Sequence, residues 1–426
     1  MIQQQFIDWF RSASPYIHAH RGNTFVICFG GEAVQDHNFP NLIHDIALLN
    51  SLGIRLVLVH GIRPQIEQGL HIRGKKSNYV NNIRITDEIA LKCVKAACGE
   101  VRAEIESLLS MGLANSPTAN FNICVTSGNF ITARPIGVRN GIDFCHTGEI
   151  RQVDISTISQ RLDDGCIVLI SPLGYSPTGE AFNLLTEEVA ATVAIGLKAN
   201  KLIYLTENEG LFNKNGQLLR QLTLAEAKPN DDNQLKNAVQ ACQNGIQRVH
   251  LLSRYIEGAL LLELFTRDGI GTLVSTNPYE NIRNATIDDV GGILELIKPL
   301  EKAGILVRRS REKLEMEIDY FTVQERDGMV VACAALYPFM DEEIAELACL
   351  AVHKHYHGAD RGGILLNFLE QKAQQLKIRQ IFILTTQTAH WFQERGFQIA
   401  NLQDLPVERR KIYNYQRQAK VLIKQL

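Results

Sequence analysis

The sequence predicts an α/β protein built in two parts, and three observations carry that prediction. Short apolar runs of strand length alternate with helical stretches from residue 24 to about residue 277. A turn-rich stretch, NPYENIRNATIDDVG from Asn277, then interrupts the pattern. Beyond it, strands and helices follow in a different, mixed order. At roughly 150 residues per domain, 426 residues suit two or three such bodies.

Taken in order, Ile2, Phe6, Trp9 and Phe10 recur at helical spacing among Gln, Asp and Arg. That predicts an amphipathic helix over residues 1–20, closed by Pro15 and the Arg21-Gly22-Asn23 turn. TFVICFGG, RLVLVHG, FNICVTSG, CIVLISPLG and KLIYLTE read as buried strands. Helices are expected at 41–52, 86–110 and 186–197. Such alternation builds a mostly parallel sheet covered on both faces. After the junction, Thr286 and Asp289 form a capping box that opens the helix DDVGGILELIKPL. A helix at 310–318 follows, then strands FTVQER, VVACAALYP and IAELACLAV. A helix over 361–376, the strand QIFILTT, the short helix AHWFQERG and final strands complete the chain. The expected divisions are 1–20, 21–278 and 279–426.

Composition narrows the partners. Lys plus Arg number 44 against 46 Asp plus Glu, a net charge of −2, so nothing electrostatic points to nucleic acid or an anionic membrane. No apolar run approaches the roughly 18 residues of a membrane span, and MIQQQFIDWFR lacks the build of a secretory signal. Nine cysteines without a CxxC pair, most of them inside apolar runs, suit a reducing cytoplasm.

In the first part, two glycine turns follow strands: Gly30-Gly31 in FGGE and Gly61 in HGIRP. Glycines there let backbone amides approach a phosphate. The ordered set VICFGGEAV, LVLVHGIRPQI, SGNF, SPLGYSPTGEAFNLLTEEVA, KLIYLTENEG and GALLLELFTRDGIGT resembles the amino-acid kinase family, acetylglutamate kinases above all. The resemblance spans about residues 24–272 and implies an αβα sandwich. The departures from it point away from kinase chemistry. Cys28 stands where the kinases carry a lysine, Ile62 and Arg63 replace two loop glycines, and NLLTE (Asn183 to Glu187) lacks the second Asn and the Asp of the kinase stretch. Phosphoryl transfer depends on positioned charge, so loss of the lysine implies a kinase-like fold without kinase activity. Arginine-sensitive members of that family have an extra N-terminal helix and bind arginine near it. By that resemblance Lys201, His250, Glu263, Gly269 and Gly271 are expected to hold L-arginine, with Glu263 on the guanidinium and the GIGT amides on the carboxylate. The same resemblance makes the aromatic N-terminal helix the joint of a homo-oligomer, a hexamer.

In the second part, IAELACLAVHKHYHGADRGGILL is a strand, a basic glycine-containing loop and a helix start, which suits a pyrophosphate. A pantetheine arm would need the strand to splay from its neighbour. The segment resembles the GNAT acetyltransferases, a mixed α+β fold. In their [QR]xxGx[GA] loop, His357 takes the place of Gln/Arg, Asp360 of the middle glycine, and Gly362 the last position. The resemblance implies acetyl-CoA on Leu350, Ala351, Val352, His357, Gly358, Ala359, Asp360, Arg361, Gly362 and Gly363. His353, His355 and His357 alternate but have no acidic or cysteine companion at ligand spacing, so no metal is expected.

A kinase-like unit followed by a GNAT unit resembles the N-acetylglutamate synthase family, and ILVRRSREKLEMEI, HWFQERGF and YNYQRQAKVL extend the likeness. The implied reaction takes acetyl from acetyl-CoA to L-glutamate, the first step toward arginine, with arginine as feedback inhibitor. Removing the ammonium proton needs a base, and Glu346 is the choice. The oxyanion needs donors, the amides of Cys349 and of Leu350 or Val352. The substrate's carboxylates need arginines, drawn from Arg309, Arg311 and Arg417, with Arg309 and Arg417 favoured. Thr385 or His390 is the candidate acid for the departing thiolate. Two other readings stay open from the residues: a bifunctional synthase and kinase, and an arginine-binding regulator without activity.

Overall fold

The structure, a computed structural model, describes every residue except 1, 112–122, 214–215, 228–232, 267–268, 277–279, 327 and 358–359. The side chains of 2, 3, 5, 8, 233, 234 and 355 also lie outside the description. The chain divides into two compact units, Met1–Asn277 and Pro278–Leu426.

The first unit is built on β1 (Thr24–Phe29), β2 (Arg55–His60), β3 (Val125–Thr126), β4 (Ile167–Ile170), β5 (Lys201–Thr206), β6 (Gln221–Thr223), β7 (Arg248–Ser253) and β8 (Thr272–Ser275). Their order across the sheet is β6-β8-β7-β5-β1-β2-β4-β3. Neighbours run parallel except β8 against β7. All six residues of β1 are buried because alternate side chains feed different cores. Phe25, Ile27 and Phe29 join Leu56, Leu58 and Ile203 on one face. Val26 and Cys28 join Val57, Val59 and Tyr204 on the other. A second sheet runs in the order Ala181–Asn183, Leu173–Tyr175, Ile131–Pro135, Gly148–Val153.

Three expectations about local elements need correction. Helix α1 (Ile2–His20) fills the expected 1–20 span but runs through Pro15, which has no part in closing it. Proline costs the helix an amide donor, but tertiary contacts hold its last turn. His20 is buried, its Nε2 lies 2.9 Å from the Leu264 carbonyl oxygen, and its ring packs on Phe25 and Phe265. The long helix α2 (Glu88–Ser110) starts after Asp87, whose side chain accepts the Ala90 amide at 2.7 Å. The strand expected from FNICVTSG, whose first two residues lie outside the described ones, is reduced among the rest to the two residues of β3. Helix α3 (Ala259–Phe265) packs against α1.

The second unit has seven strands: β9 (Glu280–Asn284), β10 (Phe321–Arg326), β11 (Met329–Phe339), β12 (Ile344–Val352), β13 (Gln380–Thr385), β14 (Gln398–Ala400) and β15 (Lys420–Gln425). They lie in the order β9-β10-β11-β12-β13-β15-β14, antiparallel except for β12 beside β13. Helix α4 (Val290–Lys302) follows a single 3-10 turn capped reciprocally by Thr286 and Asp289. It covers one face together with α5 (Arg311–Met316). Helix α6 (Arg361–Gln375) covers the other face, where Leu365, Leu366 and Leu369 meet Ala332, Ala334, Ala345 and Leu347. Two short helices, α7 (Ala389–Gln393) and α8 (Val407–Lys411), precede β14 and β15.

Candidate active site

The second unit opens where the one parallel pair among its described strands ends. Strand β12 pairs with β13 from Ile344–Gln380 to Glu346–Phe382 and no further, while β13 stays paired with β15 as far as Thr385. Residues 347–352 therefore part from their neighbour and leave backbone groups along a cleft. On its other side, β12 carries a bulge. Ala335 faces Ala348 and Cys333 faces Ala351, so Ala334 stands opposite both Cys349 and Leu350. Cys349 takes a left-handed φ of 58° there. Neither Cys349 nor Leu350 has a register partner on β11 or β13, so the bulge turns this stretch of backbone out of the regular ladder.

Glu346 sits at the fork and is 8% exposed. Arg409 of α8 clamps it, with Nε 2.5 Å from Oε2 and Nη2 3.0 Å from Oε1. A carboxylate offers about four lone-pair directions, so this fork leaves acceptor capacity for a proton. Arg309 lies beside the bulge, its Nη1 3.6 Å from Cys349 Sγ. Its side chain is 13% exposed and its buried Nε has no hydrogen-bond partner. The acid nearest to it, Glu317 at 4.0 Å, already accepts the Tyr337 hydroxyl at 2.7 Å. A buried guanidinium with an unspent donor suits an incoming carboxylate. Burial pushes the Cys349 thiol up to about 11 against the pull of Arg309. A thiol held protonated in this way offers its backbone, not a nucleophile, to the cleft.

The other expected substrate arginines are placed differently. Arg417 donates from Nη2 to the carbonyls of Gly304 and Ile305, both at 2.9 Å, at the end of α4. Arg311 does not reach the cleft: its side chain is 73% exposed and pairs with Glu315 one turn along α5. Thr385 ends the β13 wall, its hydroxyl accepting the Thr388 amide at 3.1 Å. His390 points to solvent beside Glu394 and is not brought to the fork.

Of the expected cofactor residues, Leu350, Ala351 and Val352 form the end of β12 that has parted from β13. His357 Nε2 lies 3.0 Å from the Val352 carbonyl oxygen. Gly358 and Ala359 lie outside the described residues. Asp360 adopts a left-handed φ of 47°, the conformation a glycine takes without cost. Its carboxylate lies against Gly363 in the first turn of α6 and 2.6 Å from Arg395. Arg395 in turn stacks 3.9 Å from the Trp391 ring. A side chain at Gly362 would meet Trp391 at 3.1 Å. Arg361 faces away from an open cradle, since it is held by Glu280 at 2.5 and 3.0 Å and lies over the Tyr356 ring. Arg409 and Arg395 escaped the reading of the sequence. Arg409 sits in the run VERRK, which looks like a solvated charge cluster, and only the fold brings it to Glu346.

In the first unit, the expected effector residues come together. Lys201 begins β5 with its Nζ 5.8 Å from the Phe25 ring centre, and His250 lies on neighbouring β7. His250 Nδ1 lies 2.6 Å from Glu263 Oε1 on α3, while Glu263 Oε2 accepts the amides of Ile270 at 2.7 Å and Gly271 at 3.2 Å. Gly269, at φ 60°, passes so close that a side chain would meet that carboxylate at 2.5 Å. The GIGT amides are thus turned onto Glu263 itself rather than outward as expected. Burial would raise the Glu263 carboxyl, but His250 and the two amides outweigh it and hold it at about 2.

The kinase-like turns of this unit are packed shut. Cys28 is buried, and burial drives its thiol well above the ordinary value. Ile62 is 3% exposed, Gln65 Nε2 donates to the Gly31 carbonyl at 2.9 Å, and a side chain at Gly61 would meet the Gly31 amide at 2.8 Å. Burial, with Glu32 nearby, also raises the Glu187 carboxyl. The buried Cys28 thiol and the Glu187 carboxyl stand at these turns, with Arg63 acting on Glu187 against the effect of burial.

Comparison with known proteins agrees with both units. Residues 23–253 match the amino acid kinase family, and residues 317–399 match the acetyltransferase (GNAT) domain. The chain is 52% identical to an amino-acid acetyltransferase of Azotobacter vinelandii, covering 99% of this chain and 100% of that one. It is 48% identical to that of Aeromonas salmonicida, covering 97% of each. Among solved structures, it superposes on N-acetylglutamate synthase from Neisseria gonorrhoeae complexed with coenzyme A and L-arginine. There the TM-score is 0.90 and the identity 39%, with 99% of each chain covered. A kinase-type unit followed by a GNAT unit, matched end to end at half identity, places this chain in the amino-acid acetyltransferase family.

Proposed function

We propose that this protein transfers acetyl from acetyl-CoA to the α-amino group of L-glutamate, opening arginine synthesis, and that L-arginine restrains it. The observation that carries this reading is the fork at Glu346, where a buried carboxylate, the bulged backbone of Cys349 and Leu350 and the unspent Nε of Arg309 share one strand end. Glu346 takes a proton from the substrate ammonium, directly or through water. The freed amine attacks the thioester carbonyl, and the amides of Cys349 and of Leu350 or Val352 receive the oxyanion. Collapse breaks the carbon–sulfur bond, and the coenzyme A thiolate leaves unprotonated or takes a proton relayed by Thr385. Arg309 binds one substrate carboxylate, with Arg417 on the other after it leaves its carbonyl partners. Coenzyme A lies along 350–352 with its pyrophosphate over the first turn of α6, displacing Asp360 from that end.

Residues 279–426 are the acetyltransferase in this reading, and 21–278 the arginine sensor, without phosphoryl transfer. Two observations support the sensor role. The Neisseria relative is complexed with L-arginine, and the Glu263 cluster adjoins helix α1. Helix α1 keeps Phe6, Trp9 and Phe10 exposed, which suits an assembly through residues 1–20, a hexamer by the family likeness. No described helix is long and apolar enough to cross a membrane, and we place the enzyme in the cytoplasm.

The deciding measurement is thiol release from acetyl-CoA on adding glutamate, with and without arginine. Glutamate-dependent release slowed by arginine is expected. No release, together with nucleoside triphosphate turnover on N-acetylglutamate, would overturn the proposal. Removing residues 1–18 should loosen the assembly and blunt arginine's effect; an unaltered hexamer would contradict the role of α1.

A further inference from the structure

We propose that Cys124 and Cys166 form a redox-modification site that closes to an internal disulfide when the protein meets a small oxidised disulfide such as oxidised glutathione. Neither residue takes part in the acetyl transfer, so this inference stands apart from that reading. The strand register sets the pair up. Ile167 lies beside Val125 and Val168 beside Thr126 in parallel strands β4 and β3, so one step back brings Cys166 beside Cys124. The Ile167 amide donates to the Cys124 carbonyl at 2.8 Å and locks that alignment. Adjacent strands lie about 4.8 Å apart, inside the roughly 4.4–6.8 Å Cα range that a disulfide spans. The two Sγ atoms are 2.9 Å apart, so bond formation needs only a small side-chain movement.

The partners are also unequal in a useful way. Cys124 is exposed and Cys166 is buried. Among the described residues, no other two cysteines bring their sulfurs within hydrogen-bonding distance of each other. Cys124 as thiolate attacks the oxidised disulfide, forming a mixed disulfide and releasing one small thiol. Cys166 as thiolate then attacks Cys124 Sγ and expels the second. Two protein thiols and one small disulfide become one protein disulfide and two small thiols, with no other electron acceptor. The contact with Cys166, then burial, raises the Cys124 thiol above its ordinary value, so the first attack is slow and favours prolonged oxidising exposure.

The bond has a mechanical consequence. Beyond their ladders, the same strands run into Ser127–Asn129 and Leu169–Ser171, which face each other across a cavity of about 440 Å³ with Arg102 and Tyr175. A covalent tie at the start of the strands fixes the spacing of those walls.

The test uses the full-length folded protein incubated with oxidised glutathione, read by thiol titration, peptide mapping and amide exchange. Expected are the loss of two of nine thiols, one 124–166 cross-link, and several-fold slower exchange over 125–129, all reversed by dithiothreitol. Cys166→Ser should stall as a glutathione adduct at Cys124. Cys124→Ser, at an exposed position and so safe for folding, should keep the Cys166 thiol unmodified. The proposal fails if all nine thiols persist, if wild type stops at the Cys124 adduct, or if another pair cross-links.

Discussion

The two units treat the end of a central strand pair in opposite ways. In the first, β1 and β2 stay in register through Phe29–His60, and the glycine turns beyond them pack on each other. In the second, β12 and β13 separate after Glu346 and leave a cleft. Glycines after a strand make a phosphate site only if the turns stay apart and a cation remains. A strand pair with few glycines becomes an acyl site once a bulge and a splay expose its amides. Chemistry in these units follows the gap between strands more closely than it follows the residues of the turns.

The largest expected effect lies at the open end. Glu346→Gln should lower the rate by about 10²–10⁴-fold, measured as thiol release. An unchanged rate at high pH would remove the base from Glu346 and blunt the contrast between the units. Arg309→Ala should cost roughly 2–5 kcal/mol in kcat/KM for glutamate, through KM rather than through acetyl-CoA. An equal loss for both substrates would mean that the variant had disturbed the bulge instead.

The closed unit should break with acid. Glu263 is held at about 2 against an ordinary 4.5, so its stabilisation is present above pH 4.5 and is lost as pH falls toward 2. Burial lowers the His250 imidazole's own affinity for a proton, so the firm part of this stabilisation is the Glu263 carboxylate held by that ring and by the amides of Ile270 and Gly271. Asp289, held at about 2 first by the Arg283 fork, follows the same sign in the second unit. Chemical denaturation between pH 5 and 2 should show Glu263→Gln flattening the slope for the first unit alone. An unchanged slope would mean that the cluster contributes nothing to its stability.

The smallest expected effect concerns the coenzyme A loop. Asp360→Gly relieves a left-handed side chain and removes an internal anion from the first turn of α6, worth roughly 1 kcal/mol. KM for acetyl-CoA should fall several-fold; a rise would show that Asp360 helps to hold the cofactor.

Much of this was legible in the sequence. Periodicity set out the alternation before residue 277 and the change after it, and the Thr286–Asp289 cap is where the spacing put it. The strand carrying Glu346 and the arginine before α5 were also readable, since polar residues inside apolar runs stand out. The partners were not. Arg409 reaches Glu346 across 63 positions, and Glu280 takes Arg361 across 81. No local pattern encodes which arginine an acid will find. Arg309 and Arg417 are the favoured pair in the sequence, with Arg311 as a third candidate, and Arg311 lies on the exposed side of α5 while Arg309 is buried. The run through Pro15 was missed because its compensation comes from α3, some 244 positions from His20.

The bulge in β12 has a further consequence for editing the molecule. Ala345 and Leu347 before it, and Leu350 and Val352 after it, contribute to the same α6-side core, because one surplus residue is absorbed at Cys349. Excising Cys349 alone would therefore leave every remaining side chain in its own layer while straightening the strand. Such a shortened chain, its kink erased and its hydrophobic frame spared, should fold, melt cooperatively and transfer nothing.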